Sequence, residues 1–167
     1  RLLALPPSCG PVVLVAVDGP GGAGKTTFAG RLAAALGGAP VVHTDDFASA
    51  ENPVDWAPRL LDQVVEPLAA GRPGRYQRYD WVARALAEWH DVPLARVVLI
   101  EGVGAGRLEF VSRLGYACWI ETPAALVELF RSSPAIWPNW RSSGAVTVLL
   151  MTSGLAPGSK VCTWIVG

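Results

Sequence analysis

The sequence predicts an α/β domain built in three layers, a parallel sheet with helices on both faces. Three observations carry that expectation. Val12–Val17 and Arg96–Ile100 hold unbroken apolar runs rich in β-branched residues, which suits strands buried on both sides. Lys25–Leu36 and Val54–Ala70 repeat apolar residues at helical spacing. Strand-like and helix-like segments alternate along the chain, as parallel strands joined by helical crossovers require.

Composition bounds the answer further. A chain of 167 residues is about one domain. Hydrophobic residues make up 51% and charged residues 17%, so there is enough apolar surface to bury a core and disorder is not expected. Fourteen basic and fourteen acidic residues leave a formal net charge of +0, which gives no basic footprint for nucleic acid. No apolar run approaches the roughly 20 residues of a membrane span, so no membrane partner is expected. Cys9, Cys118 and Cys162 are too few and too scattered for a disulfide framework. Arg1–Leu5 resembles the start of a signal peptide, but Pro6 and Pro7 break it, and the expectation is a cytoplasmic protein with reduced thiols.

The elements follow in order. Val12–Val17 reads as the first strand, and Lys25–Leu36 as a helix stopped by Gly37 and Gly38. Val41–His43 is a short second strand. Val54–Ala70 reads as a helix with Leu60, Leu61, Val64, Val65 and Leu68 on one face, ended by Gly71; Pro67 points to a kink or an early stop. Arg72–Asp80 is polar and aromatic and reads as a loop, and Trp81–His90 reads as a helix. Arg96–Ile100 is a buried strand, Gly115–Ile120 a further strand candidate, and Pro123–Phe130 a short helix. Val161–Val166 can add a final strand.

The strongest motif lies between the first strand and the first helix. Gly19-Pro20-Gly21-Gly22-Ala23-Gly24-Lys25-Thr26 satisfies every fixed position of G-x-x-x-x-G-K-[ST], and Thr27 follows it. Glycines let the backbone wrap a phosphate and aim its N–H groups inward, and the helix that follows presents its positive end. Lys25 can reach the outer phosphates, and the Thr26 hydroxyl can ligate Mg²⁺. The loop therefore implies a nucleotide, held by Gly19, Gly21, Gly22, Ala23, Gly24, Lys25, Thr26 and Thr27. The chain has no Asn-Lys pair for a switch GTPase's base-reading motif and no L-S-G-G-Q-like signature of a transporter ATPase. A kinase acting on a small acceptor is the economical reading.

Two carboxylate positions extend it. Asp45 and Asp46 follow the second strand, and Glu101 ends the strand Arg96–Ile100. In an open α/β sheet, ligands bind beyond the carboxyl ends of the strands. A carboxylate there can take the proton of an acceptor hydroxyl or help to hold Mg²⁺, although a solvated acidic turn would have the same sequence. Arg72, Arg75 and Arg78, interleaved with Tyr76, Tyr79 and Trp81, form the one basic-aromatic cluster. It can stack a ring and bond a sugar or phosphate, or be a solvated loop with packing aromatics.

These segments together resemble the uridine kinase-like branch of the phosphate-loop kinases, of actinobacterial style. The resemblance rests on Val15–Thr27, Val42–Phe47, Gly71–Trp81 and Ile100–Val103, and covers roughly residues 1–130. It implies a nucleoside kinase-like fold of the P-loop NTPases, with ATP and Mg²⁺ as cofactors and phosphorylation of a hydroxyl on a small acceptor, such as the nucleoside uridine. Asp45 matches the family aspartate thought to act as base, and Glu101 the acid near metal and substrate. Tyr79 belongs to the segment lining the nucleoside pocket, and Asp46, Asp55, Arg78 and Arg84 join it as candidate acceptor contacts. Arg84 stands where uridine–cytidine kinases place a base-reading histidine. Two other expectations stay open: a kinase for a different small acceptor, and a nucleotide-binding protein that is catalytically impaired or regulatory.

The resemblance fades after Glu121-Thr122-Pro123, where the family continues with an Arg- and Asp-rich lid. Residues 1–130 hold 11 basic and 14 acidic residues; residues 131–167 hold three basic residues and no acid. The expected organisation is a kinase-like ATP-binding body over 1–130 and an atypical tail over 131–167 within the same domain. A divergent terminus, a shift of reading frame or a gene-model error would produce such a break.

Overall fold

The computed structural model describes residues 2–121, 146–152 and 162–166. The expected helix Pro123–Phe130 and the expected lid region lie outside them. Six strands form the main sheet: β1 (Val13–Asp18), β2 (Val41–His43), β5 (Val97–Glu101), β6 (Leu114–Glu121), β7 (Val146–Thr152) and β8 (Cys162–Val166), in the order β2-β5-β1-β6-β7-β8. β2, β5, β1 and β6 run parallel, and β7 and β8 extend the sheet antiparallel. β8 supplies the final strand expected near the C-terminal end.

The alternation of side chains assigns the two faces. Val13, Val15 and Leu99 meet Leu32 and Ala33 of helix α1 (Lys25–Ala35) and Leu36, which caps it. Leu14, Ala16, Val98 and Ile100 point the other way, onto Leu60, Val64, Val65 and Leu68. Each central strand is therefore covered on both sides, which is why its sequence is apolar without interruption. The three-layer α/β expectation holds.

Leu60–Leu68 belong to a helical stretch that starts later than the spacing suggests. α2 covers Ala57–Leu60, a wide π turn covers Leu61–Val65, and α3 covers Glu66–Ala69. Pro67 does not stop the helix early. Its ring has no N–H and would press on the carbonyl four residues back in a regular helix, and the wide turn lies just before it.

The structure corrects two segments. Arg72–Asp80 is not a loop, because Gly74–Asp80 forms β3. Trp81–His90 is not a helix, because Ala85–Val92 forms β4, paired antiparallel with β3. Arg84 turns the hairpin at φ +52°. Tyr76 and Tyr79 anchor it, each buried, with the Tyr76 ring 4.6 Å from that of Phe47. β4 is mostly exposed, so its alternation carries no hydrophobic signal, and Ala85, Leu86, Ala87 and Glu88 are all good helix formers. Tertiary anchoring through β3 overrides that propensity.

Candidate active site

The parallel register brings three strand ends into one row. His43 of β2 pairs with Glu101 of β5, and Glu101 pairs with Val17 of β1. The phosphate loop leaves β1 one residue later. This is the carboxyl edge of the sheet, where α/β domains place their ligands.

The loop begins with a steric requirement. Gly19 has φ +142°, and a Cβ there would stand 2.1 Å from the Ile120 carbonyl oxygen of β6. Only glycine lets the chain turn this close to its neighbour. Gly22 and Gly24 are also at positive φ, and Gly24 caps α1. Lys25 opens α1, is buried, and donates to the Pro20 carbonyl at 2.9 Å across the loop. Its ammonium is thus folded back over the loop. Gly21, Ala23, Thr26 and Thr27 complete the predicted nucleotide-binding set, with Ala23 bonding its N–H to the Pro20 carbonyl at 3.3 Å.

Thr26 and Glu101 are brought together from 75 residues apart. The Thr26 hydroxyl donates to Glu101 Oε1 at 3.3 Å, and His43 Nδ1 lies 2.7 Å from Glu101 Oε2. Glu101 is 4% exposed, so each carboxylate oxygen needs a partner, and each has one. The Glu101 hydrogen bond raises the His43 pKa above its ordinary value, against the opposing effect of burial. One hydroxyl and one buried carboxylate make a sparse set of hard oxygen donors. That fits Mg²⁺ bound beside a nucleotide, an ion that keeps several waters and takes its remaining ligands from phosphate oxygens.

Asp45 and Asp46 follow β2 in a single 3-10 turn, Thr44–Asp46. Asp45 is exposed at the rim. Its carbonyl accepts from Trp81 Nε1 at 3.1 Å, which ties the turn to the hairpin. Asp46 has another engagement: its Oδ2 accepts from the Tyr76 hydroxyl at 2.8 Å. Burial, helped by this bond, pushes the Tyr76 phenol well above its usual range.

The remaining acceptor candidates divide. Tyr79 donates to Glu51 Oε2 at 3.3 Å, stands edge-on to Trp81 at 5.2 Å, and shares Glu51 with Arg84 at 3.4 Å. Tyr79, Arg84, Trp81 and Asp45 therefore belong to one cluster. Arg78 is committed elsewhere, to Glu88 at 2.7 Å and Asp80 at 3.1 Å within the hairpin. Asp55 sits in an exposed turn closed by Asn52, whose side chain bonds the Asp55 N–H and carbonyl.

Sequence reasoning missed three residues. Asp18 Oδ1 accepts from the Gly19 and Gly104 N–H groups at 2.7 and 2.8 Å, and its Oδ2 from Gly106 at 2.9 Å, so it fastens the phosphate loop to the loop after β5. Its position at the end of a buried strand was the available signal. His43 and Glu51 belong to no spaced motif, and only the fold reveals their partners.

No family model matches the chain. Over 104 aligned residues, 56% of this chain, it is 33% identical to the inorganic pyrophosphatase TTM2 of Arabidopsis thaliana and 27% identical to TTM1 of the same plant. The match spans only 15% and 16% of those proteins' length. A solved structure described as a possible uridine kinase from Bacillus stearothermophilus superposes with a TM-score of 0.57 at 21% identity, covering 78% of this chain and 82% of that one. That likeness establishes the architecture, a P-loop kinase-like α/β fold.

Proposed function

We propose that the protein is an ATP-dependent phosphotransferase that moves the γ-phosphoryl group of ATP to a hydroxyl of a small acceptor, with nucleosides such as uridine the first candidates. The observation that carries the reading is the hydrogen bond from Thr26, which follows Lys25 in the glycine-rich loop, to the buried Glu101, on the sheet edge where the turn bearing the exposed Asp45 also begins.

In this reading the loop amides and Lys25 hold the β- and γ-phosphates. Thr26 and Glu101 would hold Mg²⁺, whose positive charge would offset the charge that builds during transfer. Asp45 accepts the acceptor's hydroxyl proton as that oxygen attacks the γ-phosphorus. The bond from the γ-phosphorus to the bridging oxygen breaks, and ADP leaves with the electron pair. Tyr79, Arg84 and Trp81 wall the acceptor side, with Asp46 held by Tyr76 behind them. Asp55 and Arg78 would join only if acceptor binding released them from the partners described above.

A second reading is a nucleotide-binding protein, regulatory or impaired in transfer; the curated proteins matched over 56% of this chain are named inorganic pyrophosphatases, an activity other than transfer to an acceptor. An ADP-release screen across nucleosides and small alcohols separates the two. Transfer predicts acceptor-dependent ADP release, lowered about 10²–10⁴-fold in Asp45→Asn, the range for loss of a positioned base. Acceptor-independent hydrolysis that Asp45→Asn leaves unchanged would reject the transferase.

A further inference from the structure

We infer that His43 is a positioning residue for Glu101: its imidazole takes one oxygen of the buried carboxylate and thereby turns the other toward Thr26 and the metal site. The inference rests on the proposed Mg²⁺-nucleotide site and adds a residue to it.

The geometry is specific. β2 and β5 are parallel neighbours, and His43 and Glu101 occupy one register row, so their side chains leave the sheet side by side. The Nδ1 contact at 2.7 Å is shorter than the Thr26 contact at 3.3 Å, so the imidazole is the tighter restraint. The two partners take different oxygens. A carboxylate held only by Thr26 could rotate about its last bond and present either edge. With Oε2 taken, Oε1 stays with Thr26. The bond needs only an N–H at Nδ1, which neutral and charged imidazole can both supply.

The exposures fit the same role. The Glu101 side chain is 5% exposed and that of His43 is 42% exposed, so the imidazole is the more open partner of a carboxylate that water barely reaches. Glu101 is therefore screened from water that would compete for Oε2. Partners that orient a metal-holding group in this way are typically worth about 10–100-fold in metal affinity.

The test is calorimetric binding of ATP to the whole protein, with saturating Mg²⁺ and with EDTA. The ratio of the two affinities isolates the metal's contribution without requiring turnover. His43→Ala is expected to lose about tenfold or more of the Mg²⁺ enhancement, with the EDTA affinity unchanged. His43→Asn is expected to recover much of it, because its amide nitrogen lies the same number of bonds from the backbone as Nδ1. Parallel weakening in Mg²⁺ and EDTA would mean a merely structural role and would overturn the inference. So would an undiminished enhancement in His43→Ala. Wild-type protein that binds ATP with no Mg²⁺ enhancement would remove the metal site and this inference with it. An intact wild-type enhancement with no effect of His43→Ala would remove the inference alone.

Discussion

Gly102 sits directly after the buried Glu101, at φ +139°, with the Thr44 hydroxyl 1.9 Å from where a Cβ would be. Thr44 itself donates to the Val103 carbonyl at 3.4 Å, so the β2 and β5 ends are interlocked at this point. Gly102→Ala combines a left-handed backbone with a clash, and the expected loss is about 2–3 kcal/mol, a fall of roughly 5–10 °C in Tm. Thr44→Ala in the same chain should return part of that loss, because the double substitution removes the clashing oxygen. Thermal unfolding of the four proteins checks this; an unchanged Tm in Gly102→Ala would contradict the interlock. Residue identities at this edge were unevenly legible in the sequence. Lys25 and Thr26 announce themselves by a motif with fixed spacing, and Glu101 by ending an apolar run. His43 does neither, because its importance comes from a lateral neighbour 58 residues away. Asp18 also ends an apolar run, but its partners are the backbone N–H groups of Gly19, Gly104 and Gly106, and that role leaves no trace in residue identity.

Among the elements, the β3–β4 hairpin carries the clearest electrostatic signature. Arg78 bonds Glu88 across the strands and Asp80 along its own, and the Glu88 carboxyl is lowered from 4.5 to about 2 chiefly by Arg78. A depressed carboxyl pKa means that its contribution to stability is present above the unfolded value and is lost as pH falls through the folded one. The hairpin should therefore weaken between about pH 4.5 and 2, and more weakly in high salt because Glu88 is exposed. Carboxyl NMR titration should place Glu88 near 2 and Arg78→Ala should return it toward 4.5; a Glu88 midpoint that Arg78→Ala leaves in place would contradict the assignment. The same element was the least legible from sequence. β1 and β5 are buried on both faces and read as continuous apolar runs, whereas β4 is an outward strand of helix-favouring residues. Its pairing is fixed by Arg75 against Asp91, Arg78 against Glu88 and the stacking of Tyr76 on His90 at 5.3 Å, all of which are cross-strand and invisible to a local pattern.

For the molecule as a whole, the neutral net charge conceals a division at Arg131 that composition alone exposes. The sheet crosses that division: β6 pairs antiparallel with β7, and β7 with β8, so the C-terminal part of the chain continues the sheet begun by the phosphate-loop strands. No helix among the described residues is long and apolar enough to cross a membrane. What organises the molecule is the carboxyl edge, where the phosphate loop, Glu101 and the Asp45 turn leave adjacent strands. We propose that this edge is a nucleotide site. Titration of ATP with Mg²⁺ into wild-type protein and Lys25→Ala, followed by calorimetry, tests it most directly. Saturable one-site binding is expected, weakened at least tenfold in Lys25→Ala, about 1.4 kcal/mol or more. Equal affinity in the two proteins would contradict it.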